Sequence, residues 1–318
     1  MAISALSGPL VVFGVGAAAA SANGGTTDYN PQIGPSAFLC GSMLLDPRTF
    51  FGYDPGQAAT AQTRGWSMVS TIPLVDAAPA TQAAANIAAA AVPVAGTAMT
   101  LVSSTGSGVT VGISIQRADT GATVTGLLAL DGAMDTVKYG DDWSVQIWDP
   151  TKALCRNIRI TSVGNDSGAT FTVRGYDLYG QPMSEIITGA NAGIATGIKC
   201  FKYIASVTPA GTLAGANASV GTGDVFGFPL RVDDFSDAQI FWNSALITAS
   251  TGFTAAVTTD PATGTTGDVR GKYGVQSASD GSKKLILRVT PKPSALAASM
   301  STSGMTMTGL LGVTQFTN

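Results

Sequence analysis

From Asn157 to Thr188 the chain reads NIRITSVGNDSGATFTVRGYDLYGQPMSEIIT. No other stretch limits the possible folds as much. Phe171, Val173 and Gly175 alternate with Thr170, Thr172 and Arg174, the period of two that a half-buried strand requires. Two turn clusters interrupt the runs, Gly164-Asn165-Asp166-Ser167-Gly168 and Tyr179-Gly180-Gln181-Pro182. Gly and Asn tolerate the positive φ of a tight hairpin, and Pro fixes a bend. The stretch therefore predicts consecutive antiparallel strands.

The same pattern recurs from about Val75 onward. Candidate strands are Met99–Ser103, Val109–Gln116, Val124–Leu130, Trp143–Trp148, Asn157–Val163 and Thr170–Tyr176. Further candidates are Met183–Thr188, Phe201–Val207, Gln239–Trp242, Phe253–Val257, Lys284–Thr290 and a final Leu310–Phe316. The expected fold is mainly β, a β-sandwich or jelly-roll-like set of antiparallel sheets with little helix. One tract is ambiguous. Pro79-Ala80-Thr81-Gln82 followed by AAANIAAAAV combines a helix-start proline with strong helix formers, yet lacks a broad apolar stripe and ends at Pro93. It fits either a short helix or an extended strand.

Residues 1–74 differ from the rest. They carry Pro9, Pro31, Pro35, Pro47, Pro55 and Pro73, many glycines, and the aromatics Phe50, Phe51, Tyr53 and Trp66. Such a segment rarely builds its own core. It is either an extended arm across neighbouring subunits or an excursion folded onto its own domain. The organisation read from sequence is thus an arm (1–74), a β-sandwich domain (75–224), and a second β region with a C-terminal tail (225–318). The N-terminal MAISALSGPLVVFGVGAAAASA has an apolar stretch and an A-x-A-like end, but no Lys or Arg precedes it, so the expectation is a mature segment.

Composition narrows the function classes. Charged residues are 12% of 318, about half the usual share, and the net charge is −3. Apolar surface on so weakly charged a chain is best covered by partner subunits. Lys283-Lys284 is the one adjacent basic pair, a poor footprint for nucleic acid. No uninterrupted apolar run of membrane-spanning length occurs. The chain contains no histidine, which excludes Ser–His and Cys–His nucleophiles and His-ligated metals. Cys40, Cys155 and Cys200 are far apart and odd in number, the pattern of buried free thiols.

Local motifs add little chemistry. Gly14-Val15-Gly16-Ala17-Ala18-Ala19 has the outline of a dinucleotide turn, but Ala22-Asn23-Gly24-Gly25 halts any helix that would cradle a pyrophosphate. Gly221-Thr222-Gly223-Asp224 lacks the Gly-Lys-Ser/Thr ending of a phosphate loop. Asp177 and Glu185 flank the hairpin turn and form the one candidate carboxylate pair for general acid–base work. Solvated hairpin acids are the plainer reading, because no apolar pocket is evident that would raise one pKa. Asp233-Asp234-Phe235-Ser236-Asp237 lacks the alternating acids of a calcium loop and reads as a surface turn. Asp268 and Arg270 lie two apart and share a face on a strand, either as a surface pair or as part of a subunit contact. The assembly-contact candidates are therefore Phe50, Phe51, Tyr53, Trp66, Asp268 and Arg270. No cofactor, metal or catalytic residue is expected.

The stretch from Asn157 to Gly168, followed by FTVRGYDLYGQPMSEIITGANAG, resembles a β-rich module of tailed-bacteriophage virion proteins. The likeness continues through Phe201–Thr208 to Val220-Gly221-Thr222-Gly223. Thr258–Gly281 and Ile33–Arg48 are similar to segments of the same kind of protein. The tracts at 83–91 and in the Met-dotted tail have no counterpart in it. The resemblance implies a non-enzymatic structural protein, a decoration or cement subunit on the outer capsid surface, assembled in the host bacterial cytoplasm. Its partners would be the major capsid protein and further copies of itself, as a trimer, with no nucleic acid and no membrane. Other virion positions (tail tube, adaptor, collar) and a host-surface or carbohydrate-binding module are the alternatives.

Overall fold

The computed structural model describes residues 73–134, 136–139, 143–289 and 311–315, with three short strands at 10–12, 19–20 and 27–28. The strands, in chain order, begin with β1 (Leu10–Val12), β2 (Ala19–Ala20), β3 (Thr27–Asp28), β4 (Val75–Ala77) and β5 (Ala83–Ala91). Next come β6 (Val109–Gln116), β7 (Thr123–Leu130), β8 (Thr136–Tyr139), β9 (Trp143–Ile147) and β10 (Cys155–Ser162). The central hairpins are β11 (Ala169–Tyr176), β12 (Pro182–Thr188), β13 (Ile194–Phe201), β14 (Tyr203–Gly211) and β15 (Ala218–Gly227). The chain continues with β16 (Ala238–Trp242), β17 (Ala245–Leu246), β18 (Phe253–Thr254), β19 (Lys272–Gly274) and β20 (Leu285–Val289). One 3-10 turn, Phe235–Asp237, precedes β16. The protein is mainly β, as the alternation requires.

Two antiparallel sheets form a sandwich. One has the order β13-β10-β15-β19-β18, with β5 also paired to β15; the other is β12-β11-β14-β7-β6. Inward residues of both sheets share one core, including Ile158 and Ile160 of β10, Phe171 and Val173 of β11, Met183 and Ile187 of β12, Val207 of β14 and Val220 of β15. A third sheet, β17-β16-β20-β4, closes a second core with Leu154, Phe226, Phe228, Ile240, Trp242, Tyr273 and Leu287. The remaining pairings are β1-β9-β8 and β2-β3.

The ambiguous alanine tract is a strand. β5 pairs with β15 through Ala91–Ala218, Ala88–Val220 and Ala83–Thr222, with register shifts between them. Asn86 locks the pairing: its Nδ2 donates to Thr222 Oγ1 at 3.0 Å, and its Oδ1 accepts from Thr222 N at 3.0 Å. Tertiary pairing here overrides the helix propensity of alanine. A Cβ on Gly221 would collide with Ala83 O, so a glycine is needed where β5 crosses. That requirement explains why β15 carries a turn-like, Gly-rich sequence.

Other expectations shift in detail. The run expected at Phe201–Val207 is broken at Lys202, where the chain leaves the first sheet as β13 and enters the second as β14. Met99–Ser103 is not a strand; Leu101 makes a single bridge to Ala88. The expected strand Leu310–Phe316 is, over 311–315, a turn and extended chain held by Ala262 N donating to Thr314 O at 2.9 Å. The boundary read at 224/225 falls inside β15, which continues to Gly227 and there pairs with β19. Phe50, Phe51, Tyr53 and Trp66 lie outside the described residues, as do Cys40 and the Gly14–Gly16 turn.

Candidate functional site

The four acid and base residues singled out in the sequence form one buried, hydrogen-bonded chain. Asp177 opens the hairpin loop between β11 and β12 and is fully buried. Its Oδ1 accepts from Tyr179 N at 2.8 Å and Gln181 N at 2.9 Å, which fixes the turn. Its Oδ2 pairs with Arg270 Nη1 at 2.8 Å. Arg270 also donates from Nε to Phe228 O at 3.2 Å, and its guanidinium lies 5.5 Å from the centre of the Tyr179 ring. Asp268 accepts from Arg270 N at 3.0 Å through Oδ1 and from Cys200 N at 2.9 Å through Oδ2. The next two amides along β13, Lys199 N and Ile198 N, donate to the two carboxylate oxygens of Glu185.

This corrects the reading of Asp177 and Glu185 as solvated hairpin acids and of Asp268 and Arg270 as a surface pair. Glu185 is 1% exposed, Asp268 4% and Arg270 1%. The physical reason is parity. Glu185 sits between Met183 and Ile187 on the inward face of β12, opposite Val173 of β11. The turn at Asp177 folds over the second core, so its carboxylate meets the guanidinium rather than water. The apolar surroundings absent from the sequence reading are present. Burial pushes the Glu185 carboxyl up to about 7, against the opposing pull of the Ile198 and Lys199 amides and the Lys199 and Lys272 charges. Burial works against the Arg270 charge as well, but Asp177 and Asp268 outweigh it and raise its pKa. Neither carboxyl of the Asp177/Glu185 pair presents a face to solvent in this arrangement, and all four carboxylate oxygens already accept protein hydrogen bonds.

Three more buried cations, Lys199, Arg156 and Lys202, were not anticipated from sequence; Lys199 Nζ donates to Thr263 O at 2.7 Å. Arg156 of β10 is fully buried between Asp131 Oδ2 at 3.1 Å and Asp224 Oδ1 at 2.9 Å. It also donates to Gly223 O and Ala80 O, and Ser279 Oγ bonds both Ala80 O and Asp224 Oδ1. Alternation does not place the arginine: Cys155, Arg156, Asn157 and Ile158 are all buried, and the register with β15 shifts between Arg156 and Ile158. Lys202, at the corner between β13 and β14, donates from Nζ to three backbone carbonyls: Leu130 at 2.7 Å, Lys152 at 2.6 Å and Leu154 at 3.2 Å. Burial lowers its pKa to about 8. No local signal marks it, because its place depends on three separate segments converging.

The acidic turn behaves as a surface turn. Asp234 caps the 3-10 turn by accepting from Ser236 N and Oγ, and Asp233 pairs with Arg231 at 2.8 Å. Among the described residues, no group of three or more Cys, Asp or Glu is placed to hold a metal ion, and no helix is long and apolar enough to cross a membrane. Cys155 and Cys200 are free and buried.

The surface offers a different feature. Val163, Ile186, Ile194 and Ile198 are 67%, 43%, 53% and 39% exposed. Val163 and Ile194 lie at one end of the edge strand β13, where Thr161 of β10 pairs with Ile194; Ile198 lies farther along β13, and Ile186 is on β12 of the other sheet. The edge segment Ile194-Ala195-Thr196-Gly197-Ile198 carries no charged residue. Comparison with protein-family models, with curated proteins and with solved structures finds no match.

Proposed function

We propose that the chain is a non-enzymatic virion structural protein of a tailed bacteriophage, a decoration or cement subunit that binds the outer capsid surface. On this reading its partners are the major capsid protein and further copies of itself, as a trimer. The observation that carries the reading is the edge segment Ile194–Ile198 of β13, which bears no charged side chain and exposes Ile194 and Ile198. Sheet edges of free-standing proteins are usually guarded by charge, proline or a covering element, and exposed aliphatic clusters mark contact surfaces. The buried charges support it from the other side. Asp177, Arg270, Asp268 and Arg156 are consumed in joining strands and loops, as a scaffold requires. Modest contacts repeated across a lattice give slow release of the whole layer.

The test is location and loss. Antibody or gold labelling of intact particles should show the protein spread over the shell. Particles lacking it should release DNA at lower temperature. Label at a single vertex would move the assignment to an adaptor or collar, and undiminished robustness of depleted particles would remove the cementing role. Ile194→Lys with Ile198→Glu should abolish incorporation while leaving the subunit folded.

A further inference from the structure

We infer that Cys155 and Cys200 are a disulfide-forming pair: the chain folds with both as free thiols, and a two-electron oxidant joins them, tying β10 to β13 and stabilising the fold. The register brings them together. β10 and β13 pair as Arg156–Phe201 and Asn157–Cys200, which sets Cys155 and Cys200 on a diagonal of the antiparallel ladder. Toward β15, Cys155 faces Gly227. Both cysteines belong to the core that also holds Phe226 and Tyr273.

Gly227 measures their separation. A Cβ built on it would lie 2.8 Å from Cys200 Cβ and 3.3 Å from Cys155 Cβ. The two cysteine Cβ atoms are therefore no more than about 6 Å apart, where a disulfide needs about 3.5–4.5 Å. Two features let them close that gap. The register of β10 shifts beside Cys155, between Arg156 and Ile158 against β15 and between Asn157 and Arg159 against β13. A ladder interrupted in this way bends without breaking a regular run of bonds. Gly227 bears no side chain, so nothing from β15 stands against the two cysteines at that point. Cys200 Sγ makes a long contact to Val225 O at 3.6 Å, a weak bond that closure gives up.

The chemistry balances with hydrogen peroxide as the oxidant. One thiol becomes a sulfenic acid, and one water leaves. The second sulfur attacks the first, the S–O bond breaks, and a second water leaves. The two thiols thus lose two protons and two electrons to one peroxide. Both cysteines are buried, and burial raises both thiol pKa values, so little thiolate is present and closure is slow. Peroxide is small enough to enter by local opening that excludes a bulky thiol reagent. A reducing cytoplasm keeps the pair open, and an oxidising medium closes it. The inference rests on the geometry of the pair and not on the virion reading.

Peptide mapping of the full-length Cys40→Ser protein tests this. Peroxide is raised to the dose that links Cys155 to Cys200 in the urea-unfolded chain. The same dose applied to the native protein, followed by alkylation and non-reducing digestion, should give one cross-linked peptide pair containing Cys155 and Cys200. That pair should be about 2 Da lighter than its two thiol peptides together, and dithiothreitol should separate it. The linked protein should melt about 5–10 °C above the reduced one, because the bond closes a loop of about 45 residues. Gly227→Ala puts a Cβ against both cysteines and should stop closure in the native protein. Absence of the link in the native protein, sulfinic acid at either cysteine in its place, or a linked protein that melts no higher overturns the proposal. Closure of folded Gly227→Ala at the parent rate does the same. Should that variant fail to fold, the native and unfolded parent samples decide.

Discussion

Replacing Asp177 by Asn tests whether the buried pair with Arg270 holds the hairpin turn to the second core. Asn can still accept from Tyr179 N and Gln181 N through its oxygen. Its amide nitrogen would then face Arg270 Nη1 where a carboxylate oxygen now sits at 2.8 Å, donor against donor. Arg270 is 1% exposed, so its charge has no route to water without breaking the bond to Phe228 O. Breaking one side of such a pair costs about 3–5 kcal/mol. At about 2–4 °C per kcal/mol for a domain of 150–250 residues, the melting midpoint should fall by roughly 10 °C. Arg270→Met should cost a similar amount, because it strands Asp177 and orphans Phe228 O. The double variant should regain about 2 kcal/mol relative to the sum of the singles, since neither charge is then left alone. Denaturant unfolding followed by circular dichroism gives the free energies. Trp148, whose ring centre is 6.2 Å from that of Tyr179, gives a local fluorescence signal. Because the pair is buried, 1 M salt should leave the coupling nearly intact. An Asp177→Asn midpoint within 2 °C of wild type, or strict additivity in the cycle, would refute the reasoning.

Three further outcomes follow from the same geometry. Lys202→Met removes the donor to three buried carbonyls and should cost roughly 2–4 kcal/mol by denaturant unfolding. Its pH signature has a definite sign. The native state releases the Lys202 proton near 8 and the unfolded chain near 10.5, so between those values the unfolded state binds more protons and this residue adds stability with rising pH. The wild-type minus Lys202→Met difference should therefore grow from pH 8 to pH 10, and a flat difference would contradict the assignment. Gly221→Ala should separate β5 from β15, because the added Cβ has no room beside Ala83 O; a cost of about 3 kcal/mol or more is expected in the same assay, and a neutral variant would refute the crossing. In a Cys40→Ser background, Cys155 and Cys200 should resist a thiol reagent until the protein unfolds, since both are buried and burial pushes the Cys155 thiol up to about 12. Fast labelling of the native protein would contradict this.

The fold was legible wherever side chains alternate. Val109–Gln116 was read with the bounds it has, and the hairpin of β11 and β12 was read to within a residue at each end. β13 and β15 were missed because their glycines are there to admit other groups: Gly197 clears Glu185 and Gly221 clears Ala83. In sequence, such glycines are indistinguishable from turn formers. The candidate site was half legible. Asp177, Glu185, Asp268 and Arg270 all stood out, but as separate surface features. Their connection runs through the backbone amides of Ile198, Lys199 and Cys200, and backbone amides leave no mark on a sequence. Period two, applied to Met183, Glu185 and Ile187, would have turned the glutamate inward.

β15 lends its first half, Ala218 and Val220, to the sandwich core and its last residues, including Phe226, to the core beneath the third sheet. Tension applied to one core is therefore carried along a single covalent thread into the other, with no hinge between them. A nick anywhere along that thread severs a beam common to both, so neither half should survive excision as a stable fragment. A load-sharing layer on any surface gains from subunits built this way, because they yield as a whole or not at all.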